Sequence, residues 1–288
     1  MTSIKILLTT FLIAFSFIVK GQVNFVPDST LIYKTTAQGN LSMHVFKPSN
    51  YKASDQRPVI VFFFGGGWVG GHPKQFYQQA RYFADHGFLA ISAAYRVRGK
   101  HKTTPFESVT DAKSAIRFLR AQADTLGIDP SKIIASGASA GGHITACTGV
   151  IKGFDETDEN LDISSVPNAM LLFNPVIDTT EKGYGIENVG EDRKTELSPN
   201  DHVEQGIPPT LIFHGTADQT VPFENVERFT KLMTEAGNTC KLIPFEGKGH
   251  GFFNGSYFRK HKTDTIFNKT MDLSMEFLQE HNLKLDTK

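Results

Sequence analysis

The sequence predicts an α/β fold in which a mostly parallel central sheet carries helices on both faces. Three observations predict it. Apolar runs such as Val59-Ile60-Val61-Phe62-Phe63-Phe64 are continuous rather than alternating, the pattern of a strand buried on both faces. Stretches with apolar residues at helical spacing alternate with these runs, which is how parallel strands with crossover helices read in sequence. Several runs also end directly in glycine-rich segments, as strands do where the chain turns at their carboxyl ends. With 288 residues and 40% hydrophobic content the chain suffices for one substantial core, so residues 22–288 are expected to form a single domain.

The first residues stand apart from that domain. Lys5 precedes the apolar run Ile6 to Val19, broken only by Thr9, Thr10 and Ser16, and Lys20-Gly21-Gln22 closes it. This is the pattern of a secretory signal peptide over residues 1–21, cleaved near Gly21-Gln22. The run is shorter than the roughly 20 apolar residues of a bilayer span. The expected protein is therefore exported, periplasmic or secreted, without stable membrane insertion after cleavage.

Leu31 to Thr35 and Leu41 to Pro48 read as strands joined through Gln38-Gly39-Asn40, an opening hairpin. Val59 to Phe64 begins the parallel core and is stopped by three glycines. A helix over Gln75 to His86 leads into a buried strand at Phe88 to Tyr95, and a helix over Glu107 to Leu126 ends at Gly127. Lys132 to Ser136 is a short strand running into Gly137-Ala138-Ser139-Ala140-Gly141-Gly142, with helix from Ile144 to Val150. Strands follow at Met170 to Val176, Thr210 to Phe213 and Lys241 to Phe245, and helices at Glu224 to Ala236 and Ile266 to His281. The polar segment Thr179 to Gln205 has no clear strand and reads as a short insertion lying over the ends of the sheet.

Charge and cysteine content exclude several functions. The 30 Lys and Arg residues balance 30 Asp and Glu, which leaves no electrostatic footprint for nucleic acid. Cys147 and Cys240 are too few for a disulfide framework. Sequons begin at Asn40, Asn254 and Asn268. His72, His101, His143 and His214 are scattered without metal-ligand spacing, so no metal site is expected, and the sequence does not define an oligomeric state.

Gly137-x-Ser139-x-Gly141 lies between an expected strand and an expected helix, the setting of a nucleophile elbow. A serine on so sharp a turn stands out at the top of the sheet, and small neighbours allow backbone and helix to approach. Phe64-Gly65-Gly66-Gly67-Trp68 ends the earlier strand, where glycines can turn backbone N–H groups toward a developing oxyanion together with the N–H of Ala140. The same run could serve as a flexible loop, but it lacks the spacing of a phosphate-binding loop. Asp218, in His214-Gly215-Thr216-Ala217-Asp218, lies beyond a strand end and could orient an imidazole, and His250, on the loop Gly247-Lys248-Gly249-His250-Gly251-Phe252, could supply it. The chain order Ser139, Asp218, His250 is that of a strand-to-helix serine triad.

From Pro58 to Phe253 these residues resemble the α/β-hydrolase family, in its branch of small carboxylesterases that includes hormone-sensitive-lipase-like acetyl esterases and feruloyl or acetyl esterases of plant polysaccharides. Gly65-Gly66-Gly67-Trp68, Tyr95-Arg96, Asp111, Gly137 to Gly142, Ser198-Pro199, His214 to Asp218 and Gly249-His250-Gly251 carry the resemblance. It implies Gly65, Gly66 and Ala140 as the oxyanion positions. Two departures stand out. Phe64 occupies the usual histidine position before the glycines, so a bond that steadies that loop is missing or replaced. Val97-Arg98-Gly99-Lys100-His101 stands where Leu-Ala-Pro-Glu usually follows Tyr95-Arg96.

The chemistry so implied is serine-dependent hydrolysis of a small-molecule or carbohydrate ester, a short-chain acyl or a feruloyl ester, without metal or organic cofactor. Ser139 attacks, His250 moves the proton and Asp218 orients His250, with Glu246 as a substitute carboxylate. Trp68 and Phe252, with Phe253, either stack on a sugar or aryl ring or pack beneath a loop. His143 reads as a packed side chain, and Arg96 with Asp111 as a structural contact. Alternatives are an exopeptidase or oligopeptidase of the same fold, or a non-catalytic binding protein that kept it.

Overall fold

The computed structural model describes residues 25–260 and 263–285. The leader expected at residues 1–21, with its cleavage site, lies outside them. β1 (Ser29–Thr36) and β2 (Gly39–Phe46) pair antiparallel as the expected hairpin. β3 (Arg57–Phe63), α1 (Tyr77–Asp85), β4 (Leu89–Ala93), the single-turn α2 (Arg98–His101), α3 (Pro105–Ala121), β5 (Ile128–Ala138) and α4 (Ala140–Val150) follow. The chain continues with β6 (Ala169–Phe173), α5 (Ile186–Val189), β7 (Thr210–Gly215), α6 (Phe223–Glu235), β8 (Cys240–Phe245) and α7 (Thr265–Glu280).

These strands form one eight-stranded sheet in the order β1-β2-β4-β3-β5-β6-β7-β8. β2 pairs antiparallel with β4, and every pairing from β4 through β8 is parallel. All residues of β3, β4, β6 and β7 are buried, which requires cover on both faces and explains why these strands read as unbroken apolar runs. The chain leaves β3 toward β4 and returns to β5 on β3's other side. That reversal opens a crevice beyond the carboxyl ends of β3 and β5, where open parallel sheets hold ligands.

Local signals set the boundaries, with two instructive shifts. α3 begins at Pro105 rather than Glu107, because Thr104 and Glu107 form a capping box in which Glu107 Oε2 accepts the Thr104 N–H at 2.8 Å. Such a cap is worth about 1 kcal/mol. α4 begins at Ala140 rather than Ile144, although Gly141 and Gly142 are poor helix formers. Packing decides it: a Cβ at Gly141 would lie 2.1 Å from Phe63 O, so the first turn of α4 rests directly on the end of β3.

An aromatic cluster lies under the crevice. Phe76 stacks on Phe62 at 5.0 Å, and Phe253 packs on Phe173 at 4.8 Å and on Phe76 at 5.9 Å. The segment Thr179 to Gln205 holds α5 and short 3-10 turns, and it reaches the crevice through Tyr184. Cys147 and Cys240 are free thiols. Asn40 and Asn268 are exposed, whereas Asn254 is buried. No helix among the described residues is long and apolar enough to cross a membrane.

Candidate active site

Ser139 is the hinge between β5 and α4, with φ 55° and ψ −123°, a conformation a non-glycine side chain rarely adopts. Close packing imposes the turn. A Cβ at Gly137 would lie 2.3 Å from Gly141 O, and the Ser139 N–H is tied to Phe173 O at 3.0 Å on the neighbouring strand. The serine thus stands at the N-cap of α4, half-buried, where the first N–H groups of the helix lack intrahelical acceptors. Ala140 supplies one of them.

The glycine loop lies against this turn. A Cβ at Gly65 would come 3.0 Å from Ala138 O and 3.2 Å from the Ser139 Cβ. Gly65, however, does not offer its amide to the crevice, because that N–H donates to Gln75 Oε1 at 2.6 Å. This corrects the expectation for Gly65 and leaves Gly66 and Gly67 as the loop's uncommitted amides among the described residues. The carbonyl of Gly66 accepts the N–H groups of Val69 and Gly70 at 3.1 and 3.2 Å, which folds the loop back on itself. The hydroxyl of Tyr95 donates to Phe64 O at 2.7 Å, and the two rings stack at 4.3 Å. Gln75 and Tyr95 therefore brace the loop that a histidine in place of Phe64 would brace.

Asp218 and His250 meet because the loops after β7 and β8 are laced together. The Thr216 N–H donates to Phe245 O at 3.1 Å, Ala217 N–H to Lys248 O at 3.0 Å and Gly247 N–H to the Thr216 hydroxyl at 2.9 Å. His250 Nδ1 donates to Asp218 Oδ2 at 2.7 Å. Asp218 Oδ1 also accepts the Thr220 and Val221 N–H groups at 2.8 and 3.1 Å, while His214 Nε2 lies 3.4 Å from Oδ2. Burial opposes ionisation of Asp218, but bonds from His214, His250, Val221 and Thr220 outweigh it and hold the carboxyl well below the ordinary carboxylate range. The side chain is a fixed anion. Glu246 is exposed, and the imidazole's carboxylate partner is Asp218.

The crevice is a cavity of about 580 Å³, and Ser139, His250, Gly66 and Gly67 all line it. Asn174 lines it too. Its Nδ2 lies 3.3 Å from His250 Nδ1 and 3.2 Å from Nε2, so the amide sits over the imidazole ring.

The two aromatic expectations are corrected. Trp68 is 1% exposed, packed edge-on to His143 at 5.0 Å and tilted on Tyr184 at 5.9 Å. It is wedged beneath the loop and does not line the crevice. Phe252 faces the other side of the His250 loop, with Lys248 and Thr263, and packs on Phe245 at 4.6 Å. Phe253, not Phe252, is among the residues of the crevice wall, with its ring packed on Phe76 and Phe173. His143 is fully buried and donates from Nε2 to Leu197 O at 2.7 Å; burial pushes its pKa down to about 4, so it stays neutral. Arg96 binds Asp111 through Nε at 2.9 Å and Nη2 at 2.8 Å. No group of three or more His, Cys, Asp or Glu among the described residues could hold a metal ion.

Sequence reasoning missed Gln75, Asn174 and the role of His214. Asn174 had a signal, a polar residue before Pro175 at the end of an all-apolar strand. His214 had one as well, four residues before Asp218 at the same strand end. Gln75 had none, since nothing local ties it to Gly65.

Residues 43–189 match the BD-FAE family, and residues 173–280 match the dienelactone hydrolase family. Among solved structures, the chain is 42% identical to esterase 2 of Thermogutta terrifontis in its apo form, covering 92% of this chain and 98% of that one with a TM-score of 0.86. That esterase has also been solved with propionate and with butyrate bound. An isoprenylcysteine α-carbonyl methylesterase of Arabidopsis thaliana is 24% identical over 83% of this chain and 58% of its own. An acetylxylan esterase of Xylanibacter ruminicola is 26% identical over 77% of this chain and 46% of its own. The chain spans about half the length of the curated relatives it matches.

Proposed function

The chain belongs to the BD-FAE family of α/β-hydrolase esterases, and on that basis we propose that it hydrolyses short-chain carboxylic esters, acetyl or feruloyl esters of carbohydrates among them, with Ser139 as nucleophile. The observation that carries this reading is the 2.7 Å bond from His250 Nδ1 to Asp218, with the other face of the imidazole and Ser139 on one cavity wall.

The Ser139 hydroxyl attacks the ester carbonyl as His250 Nε2 takes its proton. Negative charge moves to the carbonyl oxygen, which accepts hydrogen bonds from the N–H groups of Ala140, Gly66 and Gly67. One such donor is worth roughly 3–4 kcal/mol of barrier, and the N-terminal end of α4 adds its dipole. The tetrahedral adduct collapses, the bond to the alcohol oxygen breaks, and His250 returns the proton to the departing alcohol. Water, deprotonated by His250, then releases the acid from Ser139. Asp218 keeps the proton on Nδ1 and so leaves Nε2 free to accept.

The relative solved with propionate and with butyrate bound supports a short acyl group. The acetylxylan esterase relative supports a carbohydrate alcohol. Export directed by residues 1–21 belongs to the same reading, and N-terminal sequencing of the mature protein tests it.

Turnover of a p-nitrophenyl ester series from acetate upward, beside acetylated and feruloylated xylosides, tests the proposal against Ser139→Ala. Short-chain turnover that disappears in the variant, with circular dichroism unchanged, supports it. Wild-type rates in Ser139→Ala would falsify the mechanism.

A further inference from the structure

The crevice around Ser139 is lined by Lys74, Arg259 and His72, and by no Asp or Glu. In a chain with equal numbers of acidic and basic residues, that is a local segregation of charge. Neither cation is consumed by the fold. Among the described residues no carboxylate lies within ion-pair distance of Lys74 or Arg259. Asp218, the carboxylate that binds His250, has its side chain fully buried and its oxygens bonded to His250, Thr220 and Val221.

Arg259 is placed by the backbone. Its Nη2 donates to the carbonyl of His250 at 3.3 Å, and a Cβ at Gly251 would lie 2.5 Å from that nitrogen. Gly251, with φ 73°, keeps the space beside His250 open for the guanidinium. Burial and the charges of Lys74 and Lys100 push the His72 pKa down, so the imidazole adds little positive charge to that of Lys74 in the crevice wall.

We infer that this crevice selects esters whose alcohol portion carries a carboxylate, an acylated hydroxy acid or uronic acid, bound by Arg259 with Lys74 as the second cation. The inference rests on the hydrolytic reading of Ser139. In that reading His250 protonates the departing alcohol, so the alcohol portion lies on the His250 side, beside Arg259. A carboxylate there meets a planar fork of donors suited to bidentate binding, in a cleft whose cations draw anions in.

The test uses a methyl O-acetyl-glucuronoside and the matching methyl O-acetyl-glucoside, which differ only in a carboxylate for a hydroxymethyl group, with p-nitrophenyl acetate as the uncharged reference. The expected kcat/KM is about tenfold higher for the glucuronoside at low ionic strength, a ratio that falls toward one in about 0.5 M NaCl. Arg259→Gln should collapse the same ratio, and Arg259→Lys should retain part of it. A ratio at or below one, or one untouched by Arg259→Gln, overturns the inference if p-nitrophenyl acetate is still turned over. Loss of all turnover in the wild-type protein overturns the hydrolytic reading itself, and the inference with it.

Discussion

Gln75 Oε1 accepts the Gly65 N–H at 2.6 Å, a bond from the 3-10 turn before α1 back to the first residue of the glycine loop. It fixes the peptide plane that precedes Gly66 and Gly67, and so the direction in which their amides point. Gln75 is a positioning residue in this arrangement. Gln75→Ala is expected to lower kcat by about tenfold with a smaller change in KM, because oxyanion donors act chiefly on the transition state. Steady-state kinetics with p-nitrophenyl butyrate decides it; an unchanged kcat would mean that Tyr95 alone braces the loop.

Asp218→Asn should reduce turnover by a factor on the order of 10³ to 10⁴, since an amide can hold the imidazole in the wrong tautomer. The substitution also has a signature in stability. The folded carboxyl titrates well below its ordinary value, so its stabilising contribution is complete above the unfolded value near 4 and is lost as pH falls below it. The amide of the variant has no proton to gain over this range, and the Tm difference between wild type and Asp218→Asn is expected to shrink from pH 6 to pH 3. A constant difference across that range would remove the claim of a strongly held anion.

Gly141→Ala should prevent folding. The added Cβ would meet Phe63 O at 2.1 Å and Phe64 O at 2.3 Å, both backbone atoms that cannot yield without separating α4 from β3. Yield of soluble protein is the measurement. Normal recovery, with wild-type melting, would show that the first turn of α4 can lift from the sheet.

Phe253→Ala and Phe252→Ala should part company. Phe253 is 1% exposed against Phe76 and Phe173, and its truncation is expected to cost about 3–5 kcal/mol in denaturant unfolding. Phe252 lies on the far side of the His250 loop, and Phe252→Ala should leave KM for aryl esters within about twofold of wild type. A large rise in KM for that variant would place its ring on the substrate after all.

Much of this was legible locally. Apolar runs that stop at glycine are written in consecutive residues, so the strand ends bearing Gly65 to Gly67, Ser139, Asp218 and His250 could be read in order without coordinates. The hairpin at Gln38-Gly39-Asn40 is likewise a contact between near neighbours in the chain. Side-chain destinations were not. Trp68 and Phe252 flank the motifs as closely as Phe253 does, and only three-dimensional packing shows that Trp68 is buried beneath the glycine loop, Phe252 faces away, and Phe253, as buried as Trp68, belongs to the crevice wall.

Periodicity and turn chemistry act over a few residues, and they were enough to place the strands, the helices and the strand ends at which polar and glycine residues collect. Which amides stay free, which histidines approach Asp218 and which cations line the crevice with Ser139 follow from the packing of the folded chain. Asn174 meets His250 only after the sheet order brings distant loops to one edge, whereas Gln75 meets Gly65, and Arg259 the carbonyl of His250, through the way the single connections after β3 and β8 fold back on themselves. Hydrogen-bond geometry and burial depend on the packed path of those loops, which the spacing of residues along the chain does not specify.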